Sequence, residues 1–239
     1  MVSKLKQSLT LALRLTLVAS ILFPSVSNVA QSQATSLIQH SIDEPDSIWI
    51  VVNKQRPLNP IKYAPTDLVT PKFKGLNFNP YNRKLRAEAS KAAYKLAVAM
   101  KSAGKGTLII QSAYRSYGEQ SAVHDRQVSK YGLKTGEALA ARPGFSEHQT
   151  GWAMDVSASG QGCQIRVCFG QTKAGLWLAA NAYNYGYIIR YPEYATPNTG
   201  YQYEPWHLRY VGKALAKAMH DDDVHTLEKH FALPSAPNY

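Results

Sequence analysis

A chain of 239 residues that is 45% hydrophobic and 18% charged has ordinary globular composition. It is long enough for one domain with a substantial core or two small ones, and too apolar for a disordered chain. Its formal net charge is +11, but no basic stripe interleaved with aromatics accompanies that charge, which argues against a nucleic-acid binder.

Lys4, Lys6 and Arg14 precede the apolar run LTLVASILF, which is followed by Pro24 and the small-residue stretch SVSNVAQSQA. That order predicts a secretory signal peptide over residues 1–30, cut after Ala30 or Ala34. The apolar run is shorter than the roughly 20 residues of a membrane span. No stable membrane insertion is therefore expected after cleavage, an uncleaved anchor being the alternative. Residues 31–47 read as a linker and residues 48–239 as the folded domain. Loss of the first thirty residues removes three basic side chains and leaves 24 basic against 16 acidic, net +8. Export with a basic surface points to an anionic extracellular polymer such as a bacterial envelope, and to the periplasm or cell-wall space. The two cysteines, Cys163 and Cys168, lie close together in GCQIRVCFG. In an exported chain they predict one local disulfide, since a zinc ribbon needs four ligands.

Along the chain, Ile48–Val52 reads as a short buried strand. Pro57, Pro60, Pro65 and Pro71 then force an extended path. Leu85, Ala89, Ala92, Leu96 and Met100 stand at helical spacing before Gly104. TLIIQSAY (107–114) predicts a central strand. Ser116 with Glu119 forms a capping box that opens a helix through about Lys130, and TGEALAA a shorter one ending at Arg142-Pro143-Gly144. WAMDVSA, YIIRY and EPWHLRYV predict strands, TKAGLWLAANAYNYG a helix stopped by Gly186, and GKALAKAMH a closing helix. Mixed elements without a regular βαβ rhythm predict an α+β fold: one domain, with a small and mainly antiparallel central sheet flanked by helices.

Chemistry concentrates in two stretches. SEHQTGWAMD carries His148 in a loop and Asp155 in a strand, with Gly151 allowing the turn between them. A His and an Asp at that spacing often mean only a polar turn. A zinc peptidase, however, needs three protein ligands, a water and a base, and YEPWHLRY offers His207 and Glu204. A metal there would bring its water's pKa to about 7, and Glu204, uncoordinated, would take the proton and return it to a leaving amine. Arg115, between a strand and a helix, would clamp a carboxylate or stabilise an oxyanion.

SAYRS with Gln120, ARPGFSEHQTGWAMD, GYIIRYP, TGY and EPWHLRYVG together resemble the VanY-type D-alanyl-D-alanine carboxypeptidases, zinc enzymes that trim peptidoglycan stem peptides. The resemblance runs from Trp49 to Gly212. The motif Ser-x-His-x-x-Gly-x-Ala-x-Asp is matched at Ser146, His148, Gly151, Ala153 and Asp155, and Glu-x-x-His at Glu204 and His207. It implies one zinc ion held by His148, Asp155 and His207, with Glu204 as base. It also implies Arg115, Gln120 and Ser146 as substrate contacts, and the fold shared by lysostaphin, D-Ala-D-Ala peptidases and hedgehog. The Cys163–Cys168 segment is the departure, placed to reshape the cleft rim.

The activity so implied is release of C-terminal D-alanine by a D,D-carboxypeptidase, with an L,D-carboxypeptidase on tetrapeptides or an endopeptidase as alternatives. A non-catalytic wall-binding module would have no use for Glu204. The His220, Asp221, Asp222, Asp223 and His225 cluster reads as a solvated helix junction, and Trp152 and Trp206 as cleft wall or packing. Nothing in the sequence demands more than a monomer.

Overall fold

The computed structural model describes residues 39–72 and 83–239; the expected signal peptide lies outside them. Among the described residues, four strands form one antiparallel sheet in the order β3-β4-β6-β5. These are β3 (Leu108–Ser112), β4 (Ala153–Ala158), β5 (Tyr187–Ile189) and β6 (His207–Tyr210). A two-residue ladder, β1 (Leu68–Val69) with β2 (Leu85–Arg86), sits apart from it. The helices are α1 (Ala87–Ser102), α2 (Tyr117–Tyr131), α3 (Leu133–Leu139), α4 (Lys173–Asn181), α5 (Thr196–Thr199), α6 (Lys213–Asp221) and α7 (Leu227–His230). The fold is α+β with a small antiparallel sheet, as its sequence predicts. None of these helices is long and apolar enough to cross a membrane.

The main core lies between the sheet and α1, whose Ala89, Ala93, Leu96 and Met100 are buried against Leu108, Ile110, Met154 and Val156. Helical spacing brings those α1 positions to one face. Leu85, expected in that helix, instead opens β2, the short strand before it. TLIIQSAY is an edge strand, not a central one: β4, buried on every residue, takes the centre with β6. Ser116 and Glu119 form the expected capping box at the start of α2. α6 does not close the chain, because α7 follows it.

Ile48, Ile50, Val51 and Val52 are buried, but the segment is not a strand. The reason is Arg209: its Nη2 donates to the carbonyls of Ile48 at 2.9 Å and Ile50 at 2.8 Å, so those acceptors are satisfied by a side chain instead of a neighbouring strand.

Gly175, in the first turn of α4, is required for close approach. A Cβ there would lie 2.0 Å from the carbonyl oxygen of Phe169 and 2.8 Å from its carbon. Gly175→Ala is expected to cost about 1–3 kcal/mol by forcing the backbone apart. Circular dichroism should record that as a Tm lower by about 5 °C.

Candidate active site

Register explains how the two distant motifs meet. In the β4–β6 ladder Asp155 stands directly opposite His207, so the pleat sends both side chains to one face. His148 arrives from a 3-10 turn, Glu147–Thr150, whose N-cap Ser146 accepts from the His148 amide at 3.3 Å. Gly151 ends that turn in the left-handed conformation, φ 74°, which a non-glycine residue adopts at a cost. The chain then enters β4.

The ligand-type atoms of His148, Asp155 and His207 all lie within 4.8 Å of one another, and among the described residues no other three such groups do. His148 Nε2 is 3.2 Å from Asp155 Oδ2, and His207 Nδ1 is 3.1 Å from Asp155 Oδ1. The other nitrogen of each ring is already engaged. His148 Nδ1 donates to the Ala113 carbonyl at 2.7 Å, and His207 Nε2 donates to Glu147 Oε2 at 3.4 Å. With a metal bound, those outer bonds would hold each ring in the tautomer whose inward nitrogen presents a lone pair, as metal-binding histidines require. Two imidazoles and a carboxylate beside an open cleft are a donor set that fits zinc.

Glu147 was not singled out by sequence reasoning. It is 1% exposed, and its Oε1 accepts from Arg190 Nε at 2.7 Å and Arg209 Nη1 at 2.8 Å. Arg190 in turn makes two bonds to Glu228, at 2.9 and 2.7 Å. Two arginines and two glutamates thus balance one another beneath the site. Burial alone would raise the Glu147 carboxyl, but the arginines and His207 hold it far below the usual range. The available signal was an arginine inside HLRY and another directly after YII: a charge at a buried sheet position needs a partner.

Glu204 borders the site with its Oε2 3.7 Å from His207 Nδ1. Burial pushes its carboxyl up to about 8 against the opposing pull of His207. Burial lowers His148 to about 4. In His207 burial is outweighed by hydrogen bonds to Asp155 and Glu147, which raise it to about 9. Arg115 is tied by its Nε to Gln120 Oε1 at 2.9 Å and by Nη1 to Ser112 Oγ at 3.1 Å, with Asp155 Oδ2 3.8 Å away.

A cleft of about 330 Å³ joins Arg115, Ser146, His148, Asp155, Glu204 and His207. Gln120 does not line it. It is fully buried, and its Nε2 donates to the Ala141 carbonyl at 2.7 Å while its oxygen holds Arg115. The expected substrate contact is therefore a group that orients Arg115 from behind. Trp206 lines the cleft, whereas Trp152 is core, packed on Tyr210 beneath Arg86. Cys163 and Cys168 are disulfide-bonded. In the distant cluster His225 pairs with Asp223 at 3.2 Å and His220 stacks on Tyr183.

Comparison with known proteins points the same way. Residues 82–213 match the family model described as VanY, D-alanyl-D-alanine carboxypeptidase. YodJ of Bacillus subtilis is 44% identical over 192 residues, spanning 80% of this chain and 69% of that protein. The solved LdcB LD-carboxypeptidase superposes with a TM-score of 0.73 at 43% identity, covering 80% of this chain and 88% of LdcB. A vancomycin-resistance D,D-pentapeptidase, VanY, solved with Zn(II), superposes with a TM-score of 0.63 at 28% identity, covering 76% and 97%. The family model spans more than half the chain, and both of its motifs fall on the cleft. This chain belongs to the VanY D-alanyl-D-alanine carboxypeptidase family.

Proposed function

We propose that the chain is an exported zinc carboxypeptidase that releases the C-terminal D-alanine of peptidoglycan stem peptides. The observation that carries this reading is the cross-strand pairing of Asp155 with His207, which completes a three-ligand set with His148 beside Glu204 and Arg115. His148, Asp155 and His207 would hold one zinc ion, as the zinc-bound VanY relative suggests. Zinc bound there supplies Lewis acidity and an acidified water.

The chain's own residues supply the rest. A cation held by the three ligands would oppose the burial that raises Glu204 and keep it a carboxylate, which takes a proton from the water whose oxygen attacks the scissile carbonyl carbon. When the C–N bond breaks, Glu204 returns that proton to the departing D-alanine nitrogen. Arg115, held rigid by Gln120 and Ser112, binds the terminal carboxylate or the developing oxyanion. Ser146 lines the same cleft as a further substrate contact. A terminal-carboxylate clamp favours a carboxypeptidase over an endopeptidase.

Between the two carboxypeptidase specificities, the greater likeness to LdcB than to the D,D-pentapeptidase favours tetrapeptide stems and an L,D cut. The test is to give the zinc-loaded protein muropeptides ending in D-Ala-D-Ala and tetrapeptides ending in one D-Ala. Chelator-sensitive release of D-alanine is expected, faster from the tetrapeptide. Faster release from the pentapeptide would reverse the specificity assignment. No release from either at full zinc occupancy would overturn the carboxypeptidase reading.

A further inference from the structure

The floor and the mouth of the cleft differ in chemistry. The floor holds ionisable groups, whereas Val123 and Tyr131 from α2, Leu139 from α3 and Ile165 from the disulfide loop line the same cavity. Tyr131, Leu139 and Ile165 are 46%, 37% and 42% exposed. One exposed hydrophobe is ordinary, but three converging on one cleft mark a surface that meets apolar matter.

Ile165 is held there by unusual means. It lies at φ 50°, and Cys163 at φ 56°, in the left-handed region that a β-branched side chain seldom enters. Such backbone persists only where its surroundings over-determine it. Here both ends of the loop are fixed: Cys163 packs against the main core, Cys168 precedes the fully buried Phe169, and the disulfide joins the two across a Cα–Cα distance of 5.6 Å. The bridge closes a short ring that presents Ile165 to the cleft.

A carboxypeptidase has no substrate beyond the terminal residue, whose carboxylate falls to Arg115. Whatever fills the mouth therefore precedes the scissile bond. We infer that Ile165, on its disulfide-braced loop, is a specificity-determining residue that packs with Tyr131 and Leu139 against the aliphatic part of the stem-peptide residues preceding the cut. The inference rests on the carboxypeptidase reading above.

Two variants test it. Ile165→Asn keeps a residue type that tolerates the left-handed backbone and removes the apolar branch. Cys163→Ser with Cys168→Ser opens the ring. Each is assayed on a full-length stem peptide and on an N-acetylated dipeptide with alanine on both sides of the cut. Ile165→Asn should raise KM for the stem peptide about 10-fold, the lower end of what lost apolar contact in a pocket produces, with kcat unchanged and the dipeptide unaffected. The double serine variant should move KM in the same direction. In a Glu204→Ala background, calorimetry should show stem-peptide affinity falling by the same factor. An equal effect on both substrates, or no effect on the stem peptide, would overturn the assignment. If the wild-type chain releases no D-alanine, the carboxypeptidase reading fails by itself. The calorimetric arm still decides: unchanged affinity on Ile165→Asn sinks the contact.

Discussion

Replacing Glu204 by glutamine is expected to lower kcat by about 10²- to 10⁴-fold, the range supplied by a positioned general base. Bound zinc should stay at one equivalent. The reason for the separation is geometric. Glu204 stands 3.7 Å from His207 Nδ1, at the edge of the ligand set, whereas the three ligand atoms converge on one another without it. Glutamine preserves the shape and the hydrogen-bonding reach but accepts no proton. Released D-alanine gives kcat, and metal analysis of the same sample gives occupancy. Turnover within tenfold of wild type would remove Glu204 from its role as base. Parallel loss of zinc would instead make it a ligand or a support for one.

The second large effect is expected away from the reacting atoms, at Glu147. Its carboxylate carries Arg190 and Arg209 on one oxygen and His207 on the other, all in full burial. Arg190 retains Glu228 when Glu147 is cut to alanine, but Arg209 keeps only carbonyl partners. Removing one partner of a buried ion pair costs about 3–5 kcal/mol, because the other charge stays desolvated. For a domain of this size that loss corresponds to a Tm lower by on the order of 10 °C. His207 also loses the acceptor for Nε2, so zinc affinity should fall by about 10- to 100-fold. Calorimetric melting with and without metal, and a competition titration against a chelator, measure the two losses separately. A Glu147→Ala protein that melts like wild type would show that water compensates Arg209. Unaltered zinc affinity would show that His207 needs no outer support.

What was legible in the sequence and what was not divides along physical lines. The strands carrying Asp155 and His207 are short stretches in which polar and apolar residues alternate, and short-range pattern suffices to place them. The order Ser146, His148, Gly151, Asp155 then Glu204, His207 compresses the cleft into two motifs, which is why these residues could be named before any fold. Gln120 could be named but not placed. Its position in the first turn of α2 says nothing about whether the amide faces the cleft or the back of Arg115, and the Ala141 carbonyl that decides the matter is 21 residues on. Glu147 was passed over for the same kind of reason. Between two motif residues it looks like a solvated loop carboxylate, and its partners Arg190 and Arg209 lie 43 and 62 positions away. Ile48–Val52 failed as a strand because a guanidinium took its carbonyls, a competition that hydrophobic pattern does not register.

The direct pairing of Asp155 with His207 has a consequence for folding. Side chains alternate faces along a strand, so a slip of one residue between β4 and β6 would send His207 through to the opposite side of the sheet. A chain threaded in that way would also turn Leu208 and Tyr210 out of the core and Arg209 into it, so apolar burial and the three metal-binding groups select the same register. Metal capture adds to that selection. It stabilises one threading and leaves its nearest competitors unrewarded, in proportion to ion concentration.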